Sequence, residues 1–252
     1  MKAIRPSKLN LTASILDGDV RSLFITAPHA GAGVTTSAYS LANSLGSLDL
    51  QNTILDDSDV GSYLPHNRND TSNVLGFNDL IYSGGRDVQL NHLVPSYTLL
   101  IDGNPGGGSL TDKLRLKGEI GLSDLILSRE GGVLPKAIRR LDDMPFHFIP
   151  HGQQKLNASL GGERAALKQL IEKLKGLYKY IIYDGPDVHS NSESLAIASA
   201  FDGVVMVVRN SETRMEVAKA AKDSLTQSGA NVVGAIFNRR QYYIPKWIYD
   251  SL

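Results

Sequence analysis

The sequence predicts an α/β fold: a mainly parallel, doubly wound sheet in a three-layer α/β/α arrangement. Two observations carry this. Apolar, β-rich runs alternate with stretches of helical period, as crossover units require. A glycine-punctuated loop also separates the first apolar run from the first helix, in the segment RSLFITAPHAGAGVTTSA (21–38).

The strands are expected at 22–27 (SLFITA), 98–102 (TLLID), 180–184 (YIIYD), 203–208 (GVVMVV) and 232–237 (VVGAIF), with weaker signals at 53–56 and 146–149. Continuous apolar runs of this kind suit strands covered on both faces. Ala38, Leu41, Ala42 and Leu45 share one face of a helix after the glycine loop. Leu167, Leu170, Ile171 and Leu174 form a second such stripe, closed by Gly176 as a C-terminal cap. A third helix is expected over 212–228, stopping at Gly229.

The whole chain, 1–252, reads as one domain. Within it, 53–96 and 98–141 read as two copies of one unit. Asp57 and Asp102, Gly76 and Gly121, and the runs GFNDLI (76–81) and GLSDLI (121–126) all stand 45 positions apart. Segment 103–109, GNPGGGS, reads as a loop beside the site or a plain connector.

Composition excludes several function classes. The 26 basic and 26 acidic residues leave no net charge, so a nucleic-acid partner gains nothing. The absence of cysteine removes thiol chemistry and cysteine-based metal sites and fits a reducing compartment. No apolar run approaches membrane-spanning length, and MKAIRPSKLNLTAS lacks an apolar signal core, so a cytoplasmic protein is expected. His66, His92, His147, His151 and His189 show no metal-ligand spacing and read as structural or surface residues.

The chemistry-bearing motif is the glycine loop. Its layout of strand, loop and helix start is that of a phosphate-binding P-loop, which makes the expected sheet one of P-loop NTPase type. Gly31, Ala32, Gly33, Val34, Thr35 and Thr36 are the candidate nucleotide-binding positions. Backbone N–H groups at a helix N-terminus attract an anion. Where the pattern G-x-x-x-x-G-K-[ST] places a lysine, however, this chain has Val34. His29, at the start of the loop, reads as a turn residue and not as a replacement for that charge.

A carboxylate is expected opposite the loop. In LYKYIIYDGPD (177–187) an apolar strand ends in Asp184 and Gly185-Pro186 turns the chain away. An aspartate there lies in the crevice where such sheets bind ligands and can hold Mg²⁺ or its water shell. A second carboxylate comes either from Asp57 and Asp59 in LDDSDVGS (55–62) or from Asp102, with Asn104, in LLIDGNPG (99–106). The first pair offers two charges and is preferred on that count.

The order of P-loop, acidic strand end, GLSDLI, HFIPHG (147–152), helix and YKYIIYDGPDV, followed by FDGVVMVVRNSETR (201–214) and GANVVGAIFNRRQ (229–241), resembles the bacterial tyrosine kinases, or BY-kinases. These P-loop proteins partner polysaccharide chain-length regulators in capsule and exopolysaccharide export. The resemblance covers most of residues 20–245 and implies a fold related to the MinD and ParA ATPases, with ATP or ADP and Mg²⁺ as ligands. It implies that Thr35 and Asp184 are Mg²⁺ ligands, joined by Asp57, Asp59 or Asp102 as the second acidic motif. It also implies that Asn238 and Arg239 lie near the adenine. A membrane co-polymerase is the implied partner, placing the chain at the inner membrane through that partner. A homo-oligomer is implied too, but the family's Glu-x-x-Arg-x-x-Arg helix has no counterpart before residue 21.

The family usually ends in a tail of tyrosines phosphorylated in trans. Here the tail 239–252, RRQYYIPKWIYDSL, offers Tyr242, Tyr243 and Tyr249 as phosphoacceptors. Interleaved with Ile244, Trp247 and Ile248, they are read first as a docking segment. Missing its lysine, the chain is expected to be a pseudokinase that regulates or scaffolds exopolysaccharide assembly, with ATP or ADP and Mg²⁺ bound weakly or not at all. An active tyrosine autokinase and a MinD- or ParA-like positioning ATPase are the alternatives.

Overall fold

A computed structural model describes residues 20–54, 98–104, 108–128, 133–141, 144–154, 161–190 and 193–239. In chain order its elements are β1 (Ser22–Thr26), α1 (Val34–Ile54), β2 (Thr98–Asp102), α2 (Leu110–Lys113), α3 (Leu122–Leu127), α4 (Leu134–Ala137), β3 (Arg139–Arg140), β4 (His147–Ile149), α5 (Gly161–Lys175), β5 (Tyr180–Asp184), α6 (Glu193–Ala198), β6 (Gly203–Arg209), α7 (Met215–Gln227) and β7 (Val232–Asn238). The described strands form one seven-stranded sheet in the order β3-β4-β2-β5-β1-β6-β7. Every pairing is parallel except that of β3 with β4. The expected α/β sheet, covered on both faces, is therefore present.

Alternation along the strands divides the core in two. On one face Leu23 and Ile25 of β1, Leu100 of β2, Phe148 of β4 and Ile182 of β5 pack with Ala38, Leu41, Ala42 and Leu45 of α1. On the other, Phe24, Leu99, Ile101, Ile181 and Tyr183 pack with Leu167, Ile171 and Leu174 of α5 and with Ala221 and Leu225 of α7. β7 closes one edge. There alternate residues face solvent, Phe237 being 66% exposed.

Two sequence expectations change. The weak strand at 53–56 begins inside a helix, because α1 runs through Thr53 and Ile54. The β-branched residues there read as strand by propensity, but a helix already nucleated upstream propagates through them. The helix expected from 212 begins at Met215, after a turn in which the Thr213 hydroxyl accepts from Arg209 N at 3.1 Å and Ser211 adopts a left-handed backbone. Of the two sequence copies, strand 98–102 and helix 122–127 of the second are present, while 55–96 lies outside the described residues. Among the described residues no helix is long and apolar enough to cross a membrane.

One polar pair lies inside the core. His147 Nδ1 is 2.8 Å from the Tyr178 hydroxyl, with the two rings edge to face. Burial, helped by Arg140, lowers the His147 pKa to about 4, so the ring is neutral at physiological pH. An unfolded histidine titrates near 6.5. Unfolding thus takes up a proton at this group between these two values, and the histidine's own contribution to stability falls as the pH drops from about 6.5 towards 4. The stability difference between the wild type and His147→Gln, followed by urea unfolding across this window, is expected to shift against the wild type as the pH falls. Tyr178→Phe, which strips a buried polar atom of its partner, is expected to cost about 1–3 kcal/mol at pH 7.

Candidate functional site

The strand order places the C-terminal ends of β2, β5 and β1 side by side, and the glycine loop follows β1. Gly31 and Gly33 hold φ values of +80° and +96°, a region that side-chain-bearing residues rarely enter. Gly33 is doubly constrained, since a Cβ there would strike the Asn238 side chain. Ser37 N donates to Gly33 O at 3.0 Å and starts the ladder of α1, whose first turn carries no acidic residue.

The loop is held from three sides. From β7, Asn238 Nδ2 donates to Ala32 O at 2.8 Å, and Arg239, itself at φ +53°, donates its N–H to Asn238 Oδ1. From the β6–α7 turn, Thr213 Oγ1 lies 2.8 Å from His29 Nε2, and the other ring nitrogen is 3.0 Å from Ala30 O. From the chain after β5, Gly185 N donates to Ile25 O, Val188 N to Ala27 O and His189 N to Pro28 O. Val34 packs against the α1-side core instead of reaching over the loop. Thr35 is half-buried and Thr36 exposed.

Asp184 and Asp102 end neighbouring strands in register, and both are fully buried. Their situations differ. Asp102 Oδ2 accepts from Thr111 N at 2.7 Å and Thr111 Oγ1 at 2.6 Å, while its Oδ1 accepts from Asn104 N at 3.1 Å. Neither oxygen of Asp184 has a well-formed hydrogen bond. Burial, reinforced by the neighbouring Asp102, raises the Asp184 pKa to about 7; the Thr35 hydroxyl and the charge of Lys113 offset this in part.

A buried carboxylate with both oxygens open, next to a threonine hydroxyl, fits a hard divalent cation. No group of three or more histidine or carboxylate side chains able to hold a metal occurs among the described residues. Mg²⁺ that arrives with phosphate oxygens needs only one or two protein ligands.

The structure thus brings Gly31, Ala32, Gly33, Val34, Thr35, Thr36, Asn238, Asp184 and Asp102 to one end of the sheet. Arg239 follows Asn238 and is exposed. Asp57, Asp59, Tyr242, Tyr243 and Tyr249 lie outside the described residues. Thr111, which holds Asp102, was not foreseen. A signal for it existed in S-L-T-D (109–112), a helix-start pattern in which Ser109 Oγ accepts from Asp112 N.

No family model matches the chain. Tyrosine-protein kinase CpsD of Streptococcus agalactiae is 27% identical over 143 residues, covering 56% of this chain and 62% of the relative, so the matched region spans under two thirds of that protein. The homologues are bacterial tyrosine-protein kinases. Among solved structures, the kinase domain of the Escherichia coli tyrosine kinase ETK superposes with a TM-score of 0.65 at 17% identity, over 94% of this chain and 76% of that one. MinD of Aquifex aeolicus gives 0.55 at 16% identity, over 92% and 73%. A cobyrinic acid a,c-diamide synthase from Mycobacterium smegmatis, solved with bound ADP and magnesium, gives 0.56 at 17%, over 92% and 81%. The fold is that shared by these proteins.

The raised pKa of Asp184 has a sign that can be tested. The folded state keeps a proton that an unfolded aspartate releases near 3.8, so this group's contribution to stability is full below about pH 4 and is lost as the pH rises through about 7. Asp184→Asn is expected to stabilise the ligand-free protein at pH 8, on the order of 2–4 kcal/mol by urea unfolding. That gain should vanish towards pH 4. A less stable variant at pH 8 would contradict the picture of an uncompensated buried carboxylate.

Proposed function

We propose, from homology to bacterial tyrosine-protein kinases, that this chain is a BY-kinase-like P-loop module of exopolysaccharide or capsule biosynthesis and export, with phosphoryl transfer impaired. It binds Mg-nucleotide and serves as a regulatory or scaffold partner of a membrane chain-length regulator, through which it reaches the membrane. The observation that carries this reading is Val34. It occupies the P-loop lysine position and packs, partly buried, against the core, in a site that keeps its paired glycines, its threonine and its strand-end carboxylate.

The kept parts have definite roles. Gly31 and Gly33 let the loop curl so that backbone N–H groups face an anion. Thr35 and Asp184 would hold Mg²⁺, which when bound neutralises charge on the phosphate oxygens. Asp102, saturated by Thr111 and Asn104, keeps its strand end fixed beside Asp184. Asn238, tied to the loop, stands where the base would lie.

The lost part is the preorganised cation that follows the terminal phosphate through transfer. Removing one such group costs roughly a hundredfold to a thousandfold in rate, and a valine side chain cannot recover it. An active tyrosine autokinase is the second reading, favoured by the retained pair Asp102 and Asp184.

Phosphate transfer from Mg-ATP to tyrosine, followed in the wild type and in Val34→Lys, separates the two. Under the pseudokinase reading the wild type is expected to run at least about a hundredfold below Val34→Lys. Wild-type transfer at about 1–100 s⁻¹, the ordinary kinase range, would end that reading.

A further inference from the structure

The site holds two buried carboxylates and a loop without a lysine, so a triphosphate needs a cation from elsewhere. His29 does not supply it, because both its ring nitrogens are engaged, by Thr213 and Ala30. Arg209 is paired with Glu212. On the far side of Asp184 from the glycine loop, the segment 108–114 is bolted to the end of β2. Thr111 gives Asp102 two short hydrogen bonds, and Ser109 caps α2. Its last helical residue is Lys113, exposed and without an ion-pair partner among the described residues. The neighbouring Asp112 is committed elsewhere, accepting from Gly108 N at 3.0 Å.

We infer that Lys113 is a displaced phosphate-binding lysine, reaching the terminal phosphate of a bound Mg-nucleoside triphosphate from the β2 side, where Val34 offers no charge. Three features converge on it: the neutral loop, the anchoring of α2 through Asp102 to the strand end beside Asp184, and a flexible ammonium group at that anchor with no ion-pair partner among the described residues. A lysine stem of four carbons lets the charge follow a phosphate without a fixed fork geometry. The inference rests on the reading of the glycine loop as a nucleotide site, and it adds where the compensating charge comes from.

Calorimetric titration of the full chain with Mg-ATP and Mg-ADP tests it. Lys113→Met is expected to weaken Mg-ATP binding by about tenfold or more. Mg-ADP, which lacks the terminal phosphate, should change by less than about threefold, and Lys113→Arg should keep most of the Mg-ATP affinity. Lys117→Met, at an exposed lysine just beyond that segment, should bind as the wild type does. Adding Val34→Lys to Lys113→Met should restore the loss. Wild-type Mg-ATP affinity in Lys113→Met, an equal loss in Lys117→Met, or no binding of Mg-ATP by the wild type would each overturn the assignment. Efficient wild-type phosphate transfer with binding lost in Lys113→Met would instead end the pseudokinase reading and leave Lys113 in place.

Discussion

The pairing of β2 with β5 sets Asp102 beside Asp184 in the dry end of the sheet, and most of the site follows from that juxtaposition. Two buried like charges side by side are costly unless each is separately compensated. The protein compensates one, by turning α2 so that Thr111 donates twice to Asp102. It leaves the other open. The tight geometry extends to Gly103, where a side chain would collide with the ring of Tyr183. Gly103 N in turn donates to Asp184 O, so the strand ends are locked while one carboxylate is kept available.

The same constraint explains the character of the surrounding loops. A site with surplus negative charge favours a divalent cation and ammonium groups over bare anions. The loop after β1 supplies only backbone dipoles. Its shape is set by its two left-handed glycines together with its neighbours: Asn238, Thr213 and the chain after Asp184 each hold one part of it.

The central strands were legible because both faces are covered, which turns YIIYD, TLLID and GVVMVV into unbroken apolar runs. β3 was not. It consists of Arg139 and Arg140, pairs antiparallel at the rim, and carries no periodic signal. The end of α1 was misread because Thr53 and Ile54 carry strand propensity, while continuation of an existing helix is decided upstream. In the site, Asp184 was legible from an apolar run that stops at an aspartate before Gly-Pro. Asp57 and Asp59, preferred on their two charges, lie outside the described residues; the place of Asp102 beside Asp184 is a matter of register, which a linear sequence does not express. Lys113 was invisible for a related reason, since motif spacing looks for a lysine at one fixed offset and not across a strand.

The brace between Asn238 and Ala32 spans 206 positions of the chain. Its consequence reaches into biosynthesis. The glycine loop emerges from the ribosome early, but the side chain that clasps it belongs to the last strand of the sheet, so the mouth of the site takes its final shape only after β7 has docked. A nascent or truncated chain can build much of the core around β1 and β5 while its glycine loop is still unclasped. The clasp at Ala32 thus forms late in synthesis, and it reports that β7 has docked.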